Sequence, residues 1–181
     1  MSKAAILLAD GFEEVEAVTQ IDFLRRAGVD LKVVGIGNRD ITSARELRVT
    51  TDETIDNLDE EFDAVILPGG LGGAKNLSSS EDVNTFLLKM HQEGKLIAAI
   101  CASPAVVLGP LGLLKDKTYT CYPGFENQVE DGIFSEDRVV IDGMLITSRA
   151  PGTAAEFAYE VIRFLQDKTA ADKVHEGTLQ K

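Results

Sequence analysis

The sequence predicts an α/β protein with a mainly parallel sheet and helices on both faces. Three observations point there. Apolar runs alternate with stretches of helical spacing along most of the chain. The runs at residues 4–9, 62–67 and 95–100 are apolar at nearly every position, as in strands buried on both faces, not at every second one. Each run ends in residues suited to a sharp turn: Asp10-Gly11, Pro68-Gly69-Gly70, and Cys101.

Taken in order, residues 4–9 form a first buried strand. Residues 12–27 carry helical spacing, with Val15, Val18, Ile21 and Leu24 recurring every third residue. Arg25 and Arg26 suit the negative end of that helix, and Gly28 closes it. Residues 29–36 read as a second strand. A polar stretch leads to a short edge strand at 47–50, and 51–61 is an acidic loop. The strand at 62–67 follows. Ser80 caps the next helix, whose buried face carries Val83, Phe86, Leu87 and Met90 and which Gly94 ends. Residues 95–100 form the central strand. Pro104 then opens a second apolar helix at a position where its missing N–H costs nothing. Residues 118–121 read as a strand stopped by Pro123-Gly124. Residues 138–147 form a hairpin about Asp142-Gly143. The last long helix spans 154–165, with Phe157, Val161, Ile162 and Leu165 inward. From Lys168 onward the chain is polar and reads as a peripheral tail. The whole, residues 1–181, reads as one domain without repeats or linkers.

The totals narrow the function. A length of 181 residues is enough for one well-cored domain. Eighteen Lys and Arg against 30 Asp and Glu give a net charge of −12, so no nucleic-acid partner is expected. Two cysteines and the lack of a signal-peptide pattern predict a reducing, cytoplasmic setting. The apolar stretch 96–114 is broken by Ser103, Pro104, Gly109, Pro110 and Gly112, so no membrane span is expected. Zinc-type Cys/His spacing is absent, and so are phosphate-loop and dinucleotide glycine patterns; no metal and no cofactor are expected.

In a parallel sheet, sites form beyond the carboxyl ends of the strands. Cys101 sits there, at a corner between strand and helix. Free cysteine in such a run is often a small buried hydrophobe. The corner equally presents a side chain above the sheet, beside a helix start that favours a thiolate. Glu16 shares a helical stripe with Gln20, Phe23 and Ala27 and so faces inward. A desolvated carboxyl has a raised pKa, can hydrogen-bond a sulfur anion and can pass a proton to a substrate. Glu13 and Glu14 read as acids placed by the helix dipole. Gly69 and Gly70 form either an ordinary turn or an oxyanion pocket beside Cys101. His91, at a helix end on the opposite rim, and His175, in the tail, are poor partners for the thiol.

Four stretches, Leu8-Ala-Asp-Gly-Phe-Glu-Glu-Val-Glu16, Leu67-Pro-Gly-Gly70, Ala98-Ala-Ile-Cys-Ala-Ser-Pro104 and Thr147-Ser-Arg-Ala-Pro-Gly-Thr153, closely resemble the ThiJ/PfpI superfamily. The nearest branch is that of the Parkinsonism-associated deglycase and its bacterial relatives, and the resemblance covers residues 3–165. It implies a flavodoxin-like three-layer sandwich, a homodimer, and Cys101 at a nucleophile elbow with Glu16 on its sulfur. It implies substrate-binding positions at Gly69, Gly70, Ala102 and Tyr122, and Arg45 as a contact to the partner chain's site. It also implies a thiol readily oxidised to the sulfinic acid. The activities it implies are a cofactor-independent glyoxalase or deglycase acting on small carbonyl compounds, a redox-sensitive chaperone and, more distantly, a peptidase or a thiazole-biosynthesis role. One departure matters: Tyr122 stands where many members have a histidine, and Ala102 where the peptidases do. A phenol with a pKa near ~10 is a poor base. Two expectations follow, a weak carbonyl-processing enzyme or a redox sensor without turnover. Cys121 is either a resolving thiol or an inert strand cysteine.

Overall fold

The computed structural model describes residues 2–180. Its strands are β1 (Lys3–Leu8), β2 (Asp30–Gly35), β3 (Asp40–Thr42), β4 (Arg48–Thr50), β5 (Glu53–Thr54), β6 (Ala64–Leu67), β7 (Leu96–Ile100), β8 (Thr118–Tyr119), β9 (Ile133–Phe134), β10 (Val139–Asp142) and β11 (Leu145–Ser148). The helices are α1 (Glu14–Arg26), α2 (Leu71–Ser78), α3 (Glu81–Gln92), α4 (Ala154–Leu165) and α5 (Lys168–Gly177). Seven strands make the central sheet in the order β10-β11-β7-β6-β1-β2-β5. All its pairings are parallel except β10 with β11, the expected hairpin about Asp142-Gly143.

The continuous apolar runs have the cause expected of them. Along β1, Ala4, Ile6 and Leu8 face the layer of α1, α4 and α5, while Ala5 and Leu7 face that of α2 and α3. Successive side chains of a strand alternate between faces, so a strand covered on both must be apolar throughout. The flavodoxin-like sandwich is therefore present. Helix α3 begins as the sequence implies, with the Ser80 hydroxyl accepting from the Val83 N–H.

Helix α1 turns Glu16, Ala17, Gln20 and Leu24 to the core, as the spacing of Glu16 with Gln20 implied, and leaves Val15 and Val18 52% and 45% exposed. Three expectations are corrected. The segment after Lys168 is no peripheral tail. Asp167 caps it as α5, Ala171 and Val174 are buried against the core, and the Tyr159 hydroxyl donates to Asp172 at 2.8 Å. The edge strand near 47–50 pairs with β3 in a separate hairpin and not with the main sheet. After Pro104 the chain makes one wide helical turn, Pro104–Leu108, closed by the Gly109 N–H on the Pro104 carbonyl, in place of an α-helix.

Candidate functional site

Cys101 follows β7 directly and leaves it at a sharp bend. Its φ is +65°, in the left-handed region that a non-glycine residue rarely occupies. Neighbouring segments hold it there. The Cys101 N–H donates to the Ser148 carbonyl at 2.9 Å, and its carbonyl accepts from the Tyr122 N–H at 2.8 Å. Just beyond, the buried Ser103 hydroxyl donates to the Pro68 carbonyl at 2.6 Å and ties the bend to the end of β6. Cys101 as a residue is 9% exposed.

Glu16 comes from the first turn of α1. Glu13 caps this helix, its carboxylate accepting the Glu16 N–H at 2.8 Å. Glu14 points the other way, accepting from the Ser43 hydroxyl and the Arg45 N–H, and so anchors the β3–β4 turn. Against the upward push of burial, these hydrogen bonds and the Arg45 charge hold the Glu14 carboxyl below its ordinary value. Glu16 itself has no exposed surface. One oxygen, Oε2, accepts the Gly69 N–H at 2.7 Å, and the carboxyl meets the Cys101 thiol. Gly69 makes this meeting possible. A Cβ there would lie 2.5 Å from the Cys101 Cβ and 2.6 Å from Glu16 Oε2.

Burial pushes the Glu16 carboxyl up to about 7; the Glu13 charge adds to this, and the hydrogen bonds from Cys101 and Gly69 oppose it. The raised carboxyl agrees with the expectation. The thiol does not. Burial first, then the charge and hydrogen bond of Glu16, push Cys101 up to about 12, while the Gly70 and Ala102 N–H groups pull it down. The two groups titrate as a pair. The pair releases one proton near neutrality and holds the second, so the sulfur is anionic only while Glu16 keeps its proton.

The expected site residues fall into three groups. Cys101, Glu16, Gly69, Gly70 and Ala102 converge. Gly69, however, does not offer its N–H to a ligand, because Glu16 takes it; the amides at the sulfur are those of Gly70 and Ala102. Tyr122 stands beside them, 44% exposed, with its ring edge-on to Phe125 at 6.1 Å. Arg45 lies exposed at the β3–β4 turn, and neither Cys101 nor Glu16 bonds to it within one chain. Cys121 is fully buried, and its thiol is pushed up to about 12, by burial first and then by Glu126, against Arg149. The sequence reading missed the carbonyls of Ser148 and Pro68, which hold the bend. Backbone groups leave no signature in residue type. Among the described residues, no group of three or more His, Cys, Asp or Glu is arranged to hold a metal ion. No helix among them is long and apolar enough to cross a membrane.

The architecture is that of a flavodoxin-like sandwich carrying a strained cysteine on its rim. The chain belongs to the DJ-1/PfpI family, whose model matches residues 2–164. It is 40% identical over 174 residues to Arabidopsis thaliana protein DJ-1 homolog B, covering 95% of this chain and 40% of that protein, so it spans less than half of that relative. It is 40% identical to Drosophila melanogaster protein dj-1beta over 99% of this chain and 98% of that one. The glutathione-independent glyoxalase DJR-1.2 of Caenorhabditis elegans is 31% identical over 91% of this chain and 89% of its own. Among solved structures, the oxidized DJ-1 of Toxoplasma gondii superposes with a TM-score of 0.96 at 36% identity, covering 99% of this chain and 98% of that one.

Proposed function

We propose that the protein is a cysteine-dependent glyoxalase or deglycase that processes small α-oxoaldehydes or their adducts without a cofactor. The observation that carries the reading is the buried Glu16 carboxyl in contact with the Cys101 sulfur, with the Gly70 and Ala102 amides turned to the same atom. In this reading the sulfur bonds to the aldehyde carbon of methylglyoxal, and Glu16 gives its proton to the oxygen. The two amides stabilise the oxyanion as it forms. Glu16, now a carboxylate, takes the C1 proton and returns it at C2 through an enediol, leaving a thioester. Water cleaves the thioester and releases lactate and the free thiol, so the net change is addition of one water. The likeness to a named glutathione-independent glyoxalase supports the substrate class. Purified protein is expected to convert methylglyoxal to lactate without glutathione, and the Cys101→Ala variant to lack this activity. Equal rates for the two overturn the assignment.

One observation favours a second reading, a redox sensor without significant turnover. Tyr122, and no histidine, flanks the thiol, so the site lacks an imidazole base. Mild peroxide is expected to add two oxygens to Cys101 before the buried Cys121 reacts, as read by peptide mass spectrometry. Prior modification of Cys121 removes the support for sensing at Cys101. In either reading we place the protein in the cytoplasm and as a homodimer, with Arg45 directed at the partner's site.

A further inference from the structure

One turn after Glu16, α1 carries a second polar side chain with no exposed surface, Gln20. Its Nε2 donates to the Ala154 carbonyl at 2.8 Å and ties α1 to the first residue of α4. That bond fixes the amide's orientation, because the flipped amide would set oxygen against oxygen. Gln20 Oε1 is therefore left as a buried acceptor without a donor, and Glu16 Oε1 is in the same position. Residues four apart stand over one another on a helix, with Cβ atoms ~5–6 Å apart, and both of these face the core. A single proton shared between the two side chains would satisfy both orphan acceptors. Glu16 is the group able to carry it.

We propose that Gln20 is a positioning residue for the acid: its amide oxygen accepts the carboxyl proton of Glu16 and so keeps that carboxyl neutral beside the Cys101 sulfur. This deepens the proposed function and rests on its reading of Glu16 as the proton carrier. Oε2 of Glu16 is occupied by the Gly69 N–H, so Oε1 bears the proton. In the resting pair the proton points at Gln20.

The groups that face Glu16 are few. Cys101 comes from the end of β7, the Gly69 N–H from the end of β6, and Glu13 from its own helix. Helix α4 contributes the Ala154 carbonyl, acting through Gln20. The Glu13 charge favours the protonated acid, and in the proposal the Gln20 oxygen acts in the same direction.

The test is a pH titration of the Glu16 carboxyl by carbon-13 NMR. Gln20→Met keeps the length and removes the acceptor. Its midpoint is expected to fall by about half a pH unit or more, and Cys101 alkylation by iodoacetamide at neutral pH to slow several-fold. Gln20→Glu keeps an acceptor and adds a charge, so its midpoint is expected to rise. A merely structural amide would change thermal stability and leave the Gln20→Met midpoint in place; an unmoved midpoint in that variant overturns the proposal. If that variant does not fold, an atomic-resolution crystal structure of the unaltered protein decides. Two bare acceptors do not sit at hydrogen-bond distance, so the two Oε1 atoms within ~3 Å support a shared proton, and any larger separation overturns it. Neither measurement needs turnover, so absence of glyoxalase activity leaves this inference standing.

Discussion

Glu16 is a single residue whose protonation acts on the stability of the whole fold. Its carboxyl is raised by burial from 4.5 to about 7. Between those values the folded chain holds a proton that the unfolded chain has released. Stability from this group is therefore fully present below the unfolded value near 4.5 and is lost as the pH rises through about 7. The difference amounts to about 3 kcal/mol at full burial. Glu16→Gln keeps an oxygen for the Gly69 N–H and cannot ionise. Its melting temperature, relative to the unaltered protein, is expected to improve from about pH 4.5 to about pH 7 and to level off above that. Thermal unfolding followed by circular dichroism at several pH values measures this. A constant gap across the range would show that Glu16 is not the titrating group. The same residue explains the strain at Cys101. A backbone held at φ +65° is tolerated because Ser148 and Tyr122 bond both of its peptide groups, and the bend brings the sulfur to the acid.

At the scale of elements, legibility followed the match between residue type and burial. β1, β6 and β7 could be read because strands covered on both faces leave no position for a polar residue; their ends, and hence the rim carrying Cys101, followed. Helix α1 was half legible. Its inward stripe contains the buried polar residues Glu16 and Gln20, whereas Val15 and Val18 mimic a core stripe and face outward. The inward placement of Glu16 was readable from its spacing with Gln20. The outward placement of the valines was not, because apolar periodicity alone does not say which surface a stripe meets. Helix α5 was hidden for the opposite reason. Its sequence is mostly polar, and only Ala171 and Val174 enter the core, so tertiary packing on α4 decides its place. The wide turn at Pro104–Leu108 was also hidden, since an apolar run after a proline fits an α-helix equally well. The thiol's raised pKa was missed because the helix-start argument weighs the amides alone, while burial and the adjoining carboxyl outweigh them.

For the whole molecule, the exposed valines of α1 call for a cover. Val15 and Val18 lie on the helix that supplies Glu16, and the exposed Leu47 lies on the β3–β4 turn that Glu14 binds. Arg45, on the same turn, reaches neither Cys101 nor Glu16 of its own chain. An apolar surface edged by an arginine and adjoining the site is what a self-complementary contact between two copies would need. A second copy seated here would bury the valines and carry its Arg45 toward the first copy's thiol. Val18→Asp places a charge in that contact and leaves the core side of α1 untouched. Analytical ultracentrifugation is expected to show a dimer for the unaltered protein and a monomer for Val18→Asp, with circular dichroism unchanged. If the partner's arginine serves the site, Val18→Asp and Arg45→Ala should lower methylglyoxal turnover to a similar degree, and combining them should lower it no further. A monomeric unaltered protein would sink the interface. A fully active Val18→Asp monomer would keep the interface and remove Arg45 from the chemistry.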